Sequence, residues 1–176
     1  MKDRTALIQS GAGQWLEFTS PVSEVAAHKP SEIHSCLVAL DSAIKRGMFV
    51  AGFIAYEAAP GMDKALTCQV SNQNIPLLWF GVYARCSAVA QCDIPDGEGF
   101  RLSEWTPSMS YEQYEKSIRR IKQYIHSGDT YQVNYTVRLT ASFEGDPLSL
   151  FKALNRSQRT GYSAFIRLGE TAICSV

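Results

Sequence analysis

The chain has 176 residues, of which 45% are hydrophobic and 19% charged, a composition typical of a globular protein and not of a disordered or collagen-like one. Its 17 basic and 17 acidic side chains give a formal net charge of +0, so no overall positive field attracts nucleic acid or an anionic membrane. The longest apolar runs are far shorter than the ~20 residues of a membrane span. We expect a soluble chain and, because the N-terminus lacks the apolar core of a signal peptide, a cytoplasmic location.

The cysteines and histidines do not follow the spacing of a disulfide framework or a metal site. The five cysteines are odd in number, contain no C-x-x-C pair and lie mostly in apolar runs. The three histidines are scattered, with no Cys/His cluster at metal spacing. We therefore expect no zinc site, and reduced core cysteines at Cys36, Cys68, Cys86, Cys92 and Cys174.

The N-terminal segment predicts a β-hairpin followed by a helix. Two short apolar segments between residues 5 and 18 flank a glycine-containing turn at 11–13, as in two paired strands. A helix is predicted from Pro30 to Arg46, ending before Gly47. Its core-facing side chains recur at spacings of four, three and four residues: Ile33, Leu37, Leu40 and Ile44.

Two uninterrupted apolar runs follow, at 48–55 and 77–83, and each predicts a strand covered on both faces. A polar loop at 71–74 precedes the second run. A third short run, at 86–90, leads into residues 93–99, whose Asp, Pro and Gly content predicts a turn or a short linker.

The most regular helical pattern begins after Ser110. Ser110 and Gln113 have the spacing of a capping box, and Gly128 is placed to end the helix. The apolar side chains step by three and four residues along one face: Tyr111, Tyr114, Ile118, Ile121 and Ile125. This pattern predicts one long amphipathic helix.

The charges of this helix are expected to be structural. Glu112 with Lys116, and Glu115 with Arg119, are i,i+4 pairs in the favourable order, and each contributes about 0.3 kcal/mol on a solvated face. Acidic side chains are in excess up to Trp105 and basic ones after it. We therefore predict a domain boundary between residues 105 and 106.

Residues 131–140 alternate without interruption between apolar side chains at odd positions and polar ones at even positions. This period predicts a strand with two chemically distinct faces. If the polar face lines a cavity, its two amides, hydroxyl and guanidinium can orient a small anionic, oxygen-rich ligand. The alternative is an antiparallel strand whose polar face meets water. The polar residues are Gln132, Asn134, Thr136 and Arg138.

The last third predicts a helix and a hairpin. Asp146 is placed as the N-cap of a helix that begins at Pro147, with Leu148, Phe151 and Leu154 facing inward. Strands are predicted at 162–168 and 171–176. Because no turn or polar tail closes the second strand, we expect the chain to be the N-terminal piece of a longer protein.

One segment points to a known family. Residues 127–136, S-G-D-T-Y-Q-V-N-Y-T, resemble the G-D-I/T-Y-Q-V-N-L-T segment of the aminodeoxychorismate-forming branch of the chorismate-utilising enzymes, a family that includes anthranilate and isochorismate synthases. The stretches 51–60, 77–81 and 161–166 are also similar to this family and occur in the same order. The likeness therefore covers most of the chain.

The resemblance implies a fold, a reaction and its participants. The implied fold is of the α/β class, α+β in type, a sandwich of mixed or antiparallel sheets with flanking helices. Residues 1–105 would form an N-terminal domain and 106–176 the start of the catalytic domain. The implied reaction is amination of chorismate, with ammonia from a glutamine amidotransferase subunit and with Mg²⁺ holding the substrate carboxylate.

The resemblance also suggests roles for three residues. Gln132 falls where isochorismate-forming relatives carry a lysine that activates water, and an amide cannot take a proton from water. Gln132 should therefore select an amine over hydroxide as the nucleophile. Asn134 and Thr136 follow as candidates for the substrate pocket.

Two other interpretations stay open. The first is an anthranilate synthase component, which makes a different aminated product from chorismate. The second is a non-catalytic module that binds a partner chain through unpaired strand edges. In the family, the reacting lysine and the metal ligands belong to motifs that are not found in these residues, so the isolated chain is expected to be inactive. Because residues 106–176 supply only part of a core, we also expect exposed apolar strands and self-association.

Overall fold

The computed structural model describes residues 4–11, 13–68, 75–90, 94, 97–158 and 161–176. These residues form two compact units: Met1–Gly97 with Pro147–Val176, and Glu98–Asp146. The predicted loop at 71–74, Cys92 and part of the predicted linker at 93–99 lie outside the described residues. The domain boundary after residue 105 stays a prediction.

The described chain contains twelve strands and four α-helices, with 3₁₀ turns at Pro30–Glu32 and Tyr56–Ala58. The strands are β1 (Arg4–Gln9), β2 (Trp15–Thr19), β3 (Ser23–Ala27), β4 (Phe49–Ile54), β5 (Leu78–Tyr83), β6 (Ser87–Val89), β7 (Phe100–Leu102), β8 (Thr106–Pro107), β9 (Leu139–Thr140), β10 (Phe143–Gly145), β11 (Ala164–Leu168) and β12 (Thr171–Ser175). The helices are α1 (Ile33–Lys45), α2 (Ala59–Met62), α3 (Tyr111–Ser127) and α4 (Pro147–Gln158).

The first unit contains a five-stranded antiparallel sheet in the order β12-β11-β1-β2-β6. The predicted N-terminal hairpin is confirmed, with Ile8 opposite Leu16. The C-terminal hairpin is confirmed as well, and its turn holds Gly169 at φ 59°, a conformation that glycine adopts without strain. Both hairpins are local, which is why their turns mark them in the sequence.

The second sheet of this unit has three antiparallel strands in the order β3-β5-β4. Central strand β5 is almost completely buried, as predicted for 77–83. The same prediction for 48–55 is wrong, because β4 lies at the edge of the sheet and Phe49 at its start is 44% exposed. Only Ala51 of this strand is fully covered.

Three core clusters define the layers of the first unit. One joins the two sheets, with Ala6, Phe18 and Trp79 among its buried residues. Another lies between the three-stranded sheet and α1. The third lies between the five-stranded sheet and α4 and contains Leu7 and Phe151. Since Ala6 and Leu7 are adjacent in β1, they point to opposite faces and serve two different clusters.

Helix α1 was predicted with nearly correct bounds and a partly wrong inner face. Ile33 and Leu40 are buried, but Ile44 is 51% exposed and its neighbour Ala43 is buried in its place. The buried positions therefore step 33, 36, 40 and 43, which lets Cys36 pack in the core.

Cys86 and Cys174 are partly exposed but pack against core clusters, Cys86 against the one that joins the two sheets and Cys174 against the one beside α4. Cys68 is partly exposed and is not part of these three clusters. Cys36, Cys68, Cys86 and Cys174 are all free thiols, as predicted.

The second unit, 98–146, consists of α3 and two short antiparallel ladders, β7 with β10 and β8 with β9. None of its residues is buried. The strand predicted at 131–140 is wrong for 131–138, which form no ladder. Only Leu139 and Thr140 pair, opposite Pro107 and Thr106, because the described residues offer the rest of the segment no strand partner.

The fold class is confirmed: antiparallel sheets and helices combine in an α+β arrangement. Helix α4 begins at Pro147, as predicted, and buries Leu148 and Phe151, whereas Leu154 is only partly covered. No helix in the part of the chain that the structure describes has the length and apolarity needed to cross a bilayer.

Candidate functional site

The candidate site begins where α3 ends. Gly128 has φ 79°, its N–H donates to the Ile125 carbonyl at 3.2 Å, and the N–H of Asp129 donates to the Tyr124 carbonyl at 3.0 Å. These two bonds form a Schellman cap, which satisfies the last carbonyls of the helix and turns the chain outward. The glycine cap predicted at this position is therefore confirmed.

After the cap, the chain passes through the predicted site residues without forming a helix or a strand. The Thr130 hydroxyl donates to the Gln132 carbonyl at 3.0 Å, and the Gln132 amide Nε2 donates to Oδ1 of Asn134 at 3.2 Å. Gln132, Asn134 and Thr136 are all exposed. The structure thus brings two of the three predicted site residues together, on the outer surface of the chain as described.

The odd-numbered side chains of this segment are not packed beneath it. Tyr131 is 92% exposed and Val133 is half-exposed, while Tyr135 and Val137 are partly covered. Neither face of the segment is therefore enclosed within the chain. The roles of Gln132, Asn134 and Thr136 in a pocket stay predictions.

Residues that precede α3 hold the far end of the segment. The Ser108 backbone N–H donates to the Arg138 carbonyl at 2.8 Å, and the Arg138 N–H donates to the Ser108 hydroxyl at 3.3 Å. The Tyr135 hydroxyl donates to the Met109 sulfur at 3.2 Å, and its ring lies 5.9 Å from that of Tyr114. Ser108 and Met109 were missed because no periodic or turn pattern marks them.

The chemistry of this segment is that of neutral hydrogen-bonding groups beside one cation. The amides of Gln132 and Asn134 each donate and accept, and the Thr136 hydroxyl does both as well. The exposed Arg138 guanidinium supplies the positive charge suited to a carboxylate. This set can bind an oxygen-rich anion, and its two amides cannot act as general bases.

The described residues do not provide a metal site. No group of three or more His, Cys, Asp or Glu side chains comes together among them in a way that could hold a metal ion. Ligands for the Mg²⁺ that the family resemblance implies are therefore not found among the described residues.

The three tryptophans differ in burial. Trp15 and Trp79 are buried, and the Trp79 indole N–H donates to Oε2 of Glu24 at 3.0 Å. Both side chains belong to core clusters of the first unit. Trp105 is half-exposed.

The sequence of the chain is similar to known proteins over nearly its whole length. The sequence pattern of the chorismate binding enzymes matches residues 3–176. Aminodeoxychorismate synthase component 1 of Escherichia coli (strain K12) is 44% identical over 116 residues, which are 65% of this chain and 26% of that protein. The same component from Klebsiella aerogenes is 49% identical over 74 residues, 42% of this chain and 16% of that protein.

Similarity to other members of the family is weaker. Anthranilate synthase component 1 of Pseudomonas putida is 36% identical over 67 residues, which are 38% of this chain and 14% of that protein. The chain thus matches about a quarter of the length of its E. coli relative, and less of the other two. The family match covers nearly all of its residues. The chain belongs to the family of chorismate binding enzymes.

Proposed function

We propose that the chain is the N-terminal part of an aminodeoxychorismate synthase component 1, the enzyme that converts chorismate to 4-amino-4-deoxychorismate. In this reaction a carbon–nitrogen bond forms with ammonia, a carbon–oxygen bond breaks, and the hydroxyl leaves as water. Similarity to two aminodeoxychorismate synthase components, at 44% and 49% identity, carries the proposal. The amide pair of Gln132 and Asn134 after α3 supports it, because the pair offers polar groups to a substrate and no base.

The two amides give this site a preference between nucleophiles. Ammonia carries a nucleophilic lone pair and needs no base, whereas water must lose a proton as it attacks. Gln132 cannot accept that proton, so amination is favoured over hydroxylation. The Gln132–Asn134 hydrogen bond holds the Gln132 amide in one orientation, and Thr136 and Arg138 would contact the polar oxygens of chorismate.

The remaining participants follow from the same proposal. A glutamine amidotransferase subunit would supply the ammonia, and Mg²⁺ would bind the substrate carboxylate through ligands outside the described residues. The reaction would take place in the cytoplasm. By itself the 176-residue chain would be inactive with chorismate, ammonium and Mg²⁺, and measurable product would show that the reacting groups lie within it.

An anthranilate synthase is the second candidate, supported by shorter or less similar matches. The product decides between them: the intact enzyme that contains this chain should form 4-amino-4-deoxychorismate from chorismate and ammonium, and anthranilate would overturn the proposal. A partner-binding module without catalysis would form neither product.

The role of Gln132 is tested in the intact enzyme with Gln132→Lys. We expect ammonium-dependent amination to fall by roughly tenfold or more, since about 1.4 kcal/mol of transition-state stabilisation corresponds to each factor of ten. Gln123→Lys is the matched control, because Gln123 is an exposed glutamine on α3. Equal amination by both variants would show that Gln132 does not contact the reaction site.

A further inference from the structure

Tyr135 links the segment of the candidate site to a distant part of the chain. It lies between two of the predicted pocket residues, Asn134 and Thr136. The hydrogen bond of Gln132 is local, because its partner Asn134 is two positions away. The Tyr135 hydroxyl, in contrast, donates to the sulfur of Met109, which is 26 positions away. Tyr135 therefore attaches a segment that forms neither a helix nor a strand to a separate structural element.

The element to which Tyr135 is attached is the N-terminus of α3. Met109 directly precedes Ser110, the N-cap residue whose capping box fixes the start of the helix. The Tyr135 ring also lies 5.9 Å from the ring of Tyr114, at an interplanar angle of 43°, within the range in which aromatic pairs attract each other. The hydroxyl and the ring of Tyr135 thus contact the same region, the first turn of α3 and the residue before its cap.

This attachment limits how far the amides of the site can move. The Gln132 Nε2 donates to Asn134, which leaves the Gln132 oxygen Oε1 as an acceptor. When a group orients a reactant, a displacement of about 1 Å is enough to reduce the reaction rate strongly. Because Gln132 and Asn134 are exposed and belong to no ladder, the contacts of the neighbouring Tyr135 restrict their position.

All of these contacts are internal to the chain. Tyr135 is partly covered, and its bond to Met109 is partly buried. Ser108 and Arg138 add two hydrogen bonds beside it, at 2.8 and 3.3 Å. Further residues of a longer enzyme can cover α3 and the segment without breaking the contacts between them. We therefore expect the same attachment in the intact enzyme.

We propose that Tyr135 is a positioning residue of the aminating site. Through Met109 and Tyr114 it holds the Gln132 amide where Oε1 accepts a hydrogen bond from the incoming ammonia. Tyr135 acts through Gln132 and needs no contact of its own with ammonia or chorismate. The proposal rests on the proposed function for the identity of the reaction, and it gives a role to a residue that the sequence pattern marks only as apolar.

Ammonium-dependent amination by the intact enzyme tests this role with Tyr135→Phe and Met109→Leu. The first variant keeps the ring and removes the donor, and the second keeps the size of the side chain and removes the sulfur acceptor. Each should raise KM for ammonium by about three- to tenfold, because Oε1 loses its fixed position. The double variant should be no worse than either single one, since both changes remove the same bond. Tyr111→Phe is the matched control: Tyr111 is 79% exposed, and its variant should keep the KM of the unmodified enzyme.

The Michaelis constant separates positioning from a merely structural role. A variant that only folds less well contains less active enzyme, which lowers the apparent kcat and leaves KM unchanged. An unchanged KM for ammonium in Tyr135→Phe and Met109→Leu, or single effects that add in the double variant, overturns the proposal. If the aminated product is anthranilate, the proposed function fails, while KM for ammonium still decides the role of Tyr135.

Discussion

The side-chain amide of Gln132 donates a hydrogen bond of 3.2 Å to the amide oxygen of Asn134, two residues further along the chain. The two residues are only two positions apart, so this contact needs no neighbouring strand, and it forms although 131–138 belong to no ladder. This contact predicts a task for Asn134, which is to orient the Gln132 amide.

Removing the acceptor tests that task. In the intact enzyme, Asn134→Ala should lower kcat/KM for ammonium-dependent amination by roughly three- to tenfold, because an exposed hydrogen bond contributes about 0.5–1.5 kcal/mol. Asn134→Asp retains an acceptor oxygen at Oδ1 and should keep more activity than the alanine variant. Unchanged kinetics for Asn134→Ala would mean that the contact plays no part in the reaction.

A second prediction concerns the N-terminus of α3. The Ser110 hydroxyl accepts from the Gln113 N–H at 3.2 Å, and the Gln113 side chain accepts from the Ser110 N–H at 2.9 Å. Ser110→Ala should reduce the helicity of the 176-residue chain and speed amide exchange in the first turn of α3, at a cost of about 1 kcal/mol to the helix. The effect should be visible because the second unit has no buried residue to hold the helix by packing.

The matched control for this change is Ser117→Ala in the middle of the same helix. The Ser117 hydroxyl donates to the Gln113 carbonyl at 2.9 Å, an interaction that does not stabilise a helix interior, and alanine has the higher helix propensity. Helicity should therefore stay equal or rise. If Ser110→Ala and Ser117→Ala behave alike, the capping box does not determine the stability of α3.

Both ends of α3 could be predicted because their determinants are local. Ser110 with Gln113, and Gly128, act within a few residues of the positions they mark. A strand at 131–138 would need a neighbouring strand to pair with. The alternation of apolar and polar residues does not show whether such a strand exists. The contacts from Ser108 and Met109 span about thirty residues, and no local pattern predicts contacts of that range.

Burial was predicted less well than secondary structure, for a related reason. Periodicity identifies an apolar face but not which neighbours cover it. Ile44 continues the spacing of α1 yet lies outside the contact with the sheet, where the smaller Ala43 fits. The apolar composition of 48–55 predicts a fully buried strand. Only the strand order shows that β4 lies at the edge of its sheet.

A third prediction concerns the close approach of β4 and β5 at Gly52. A Cβ atom at this position would collide with the Trp79 carbonyl oxygen and lie 2.6 Å from the Phe80 Cα. Gly52→Ala should therefore separate the two strands and lower the free energy of unfolding by about 2 kcal/mol or more, as for an overpacked core site. Urea unfolding followed by tryptophan fluorescence measures the change.

Gly161→Ala is the control for Gly52→Ala. A Cβ atom at Gly161 meets no atom within 4 Å, and the residue does not have a positive φ. Its substitution should change the unfolding free energy by no more than about 0.5 kcal/mol. A Gly52→Ala variant as stable as Gly161→Ala would show that β4 can shift to accept a side chain.

The fourth prediction is a loss of stability at alkaline pH. Burial raises the pKa of the Cys174 thiol from an ordinary value of 9.0 to about 11. Its sulfur is placed to donate a weak hydrogen bond to the Pro147 carbonyl at 3.8 Å. Burial also raises the pKa of Tyr83, whose side chain is fully covered. Both groups therefore keep their protons in the folded chain at pH values where the unfolded chain releases them.

The direction of the effect follows from this difference. The stabilisation by the protonated Cys174 is fully present below about pH 9 and is lost as the pH rises toward 11. Its size should be at most about 2 kcal/mol, because the thiol is only partly enclosed. Urea unfolding at pH 7.5, 9 and 10.5 should show a steeper decline for the unmodified chain than for Cys174→Ala, with Cys68→Ala declining like the unmodified chain. Equal slopes for all three proteins would mean that the Cys174 thiol ionises alike in the folded and unfolded chain.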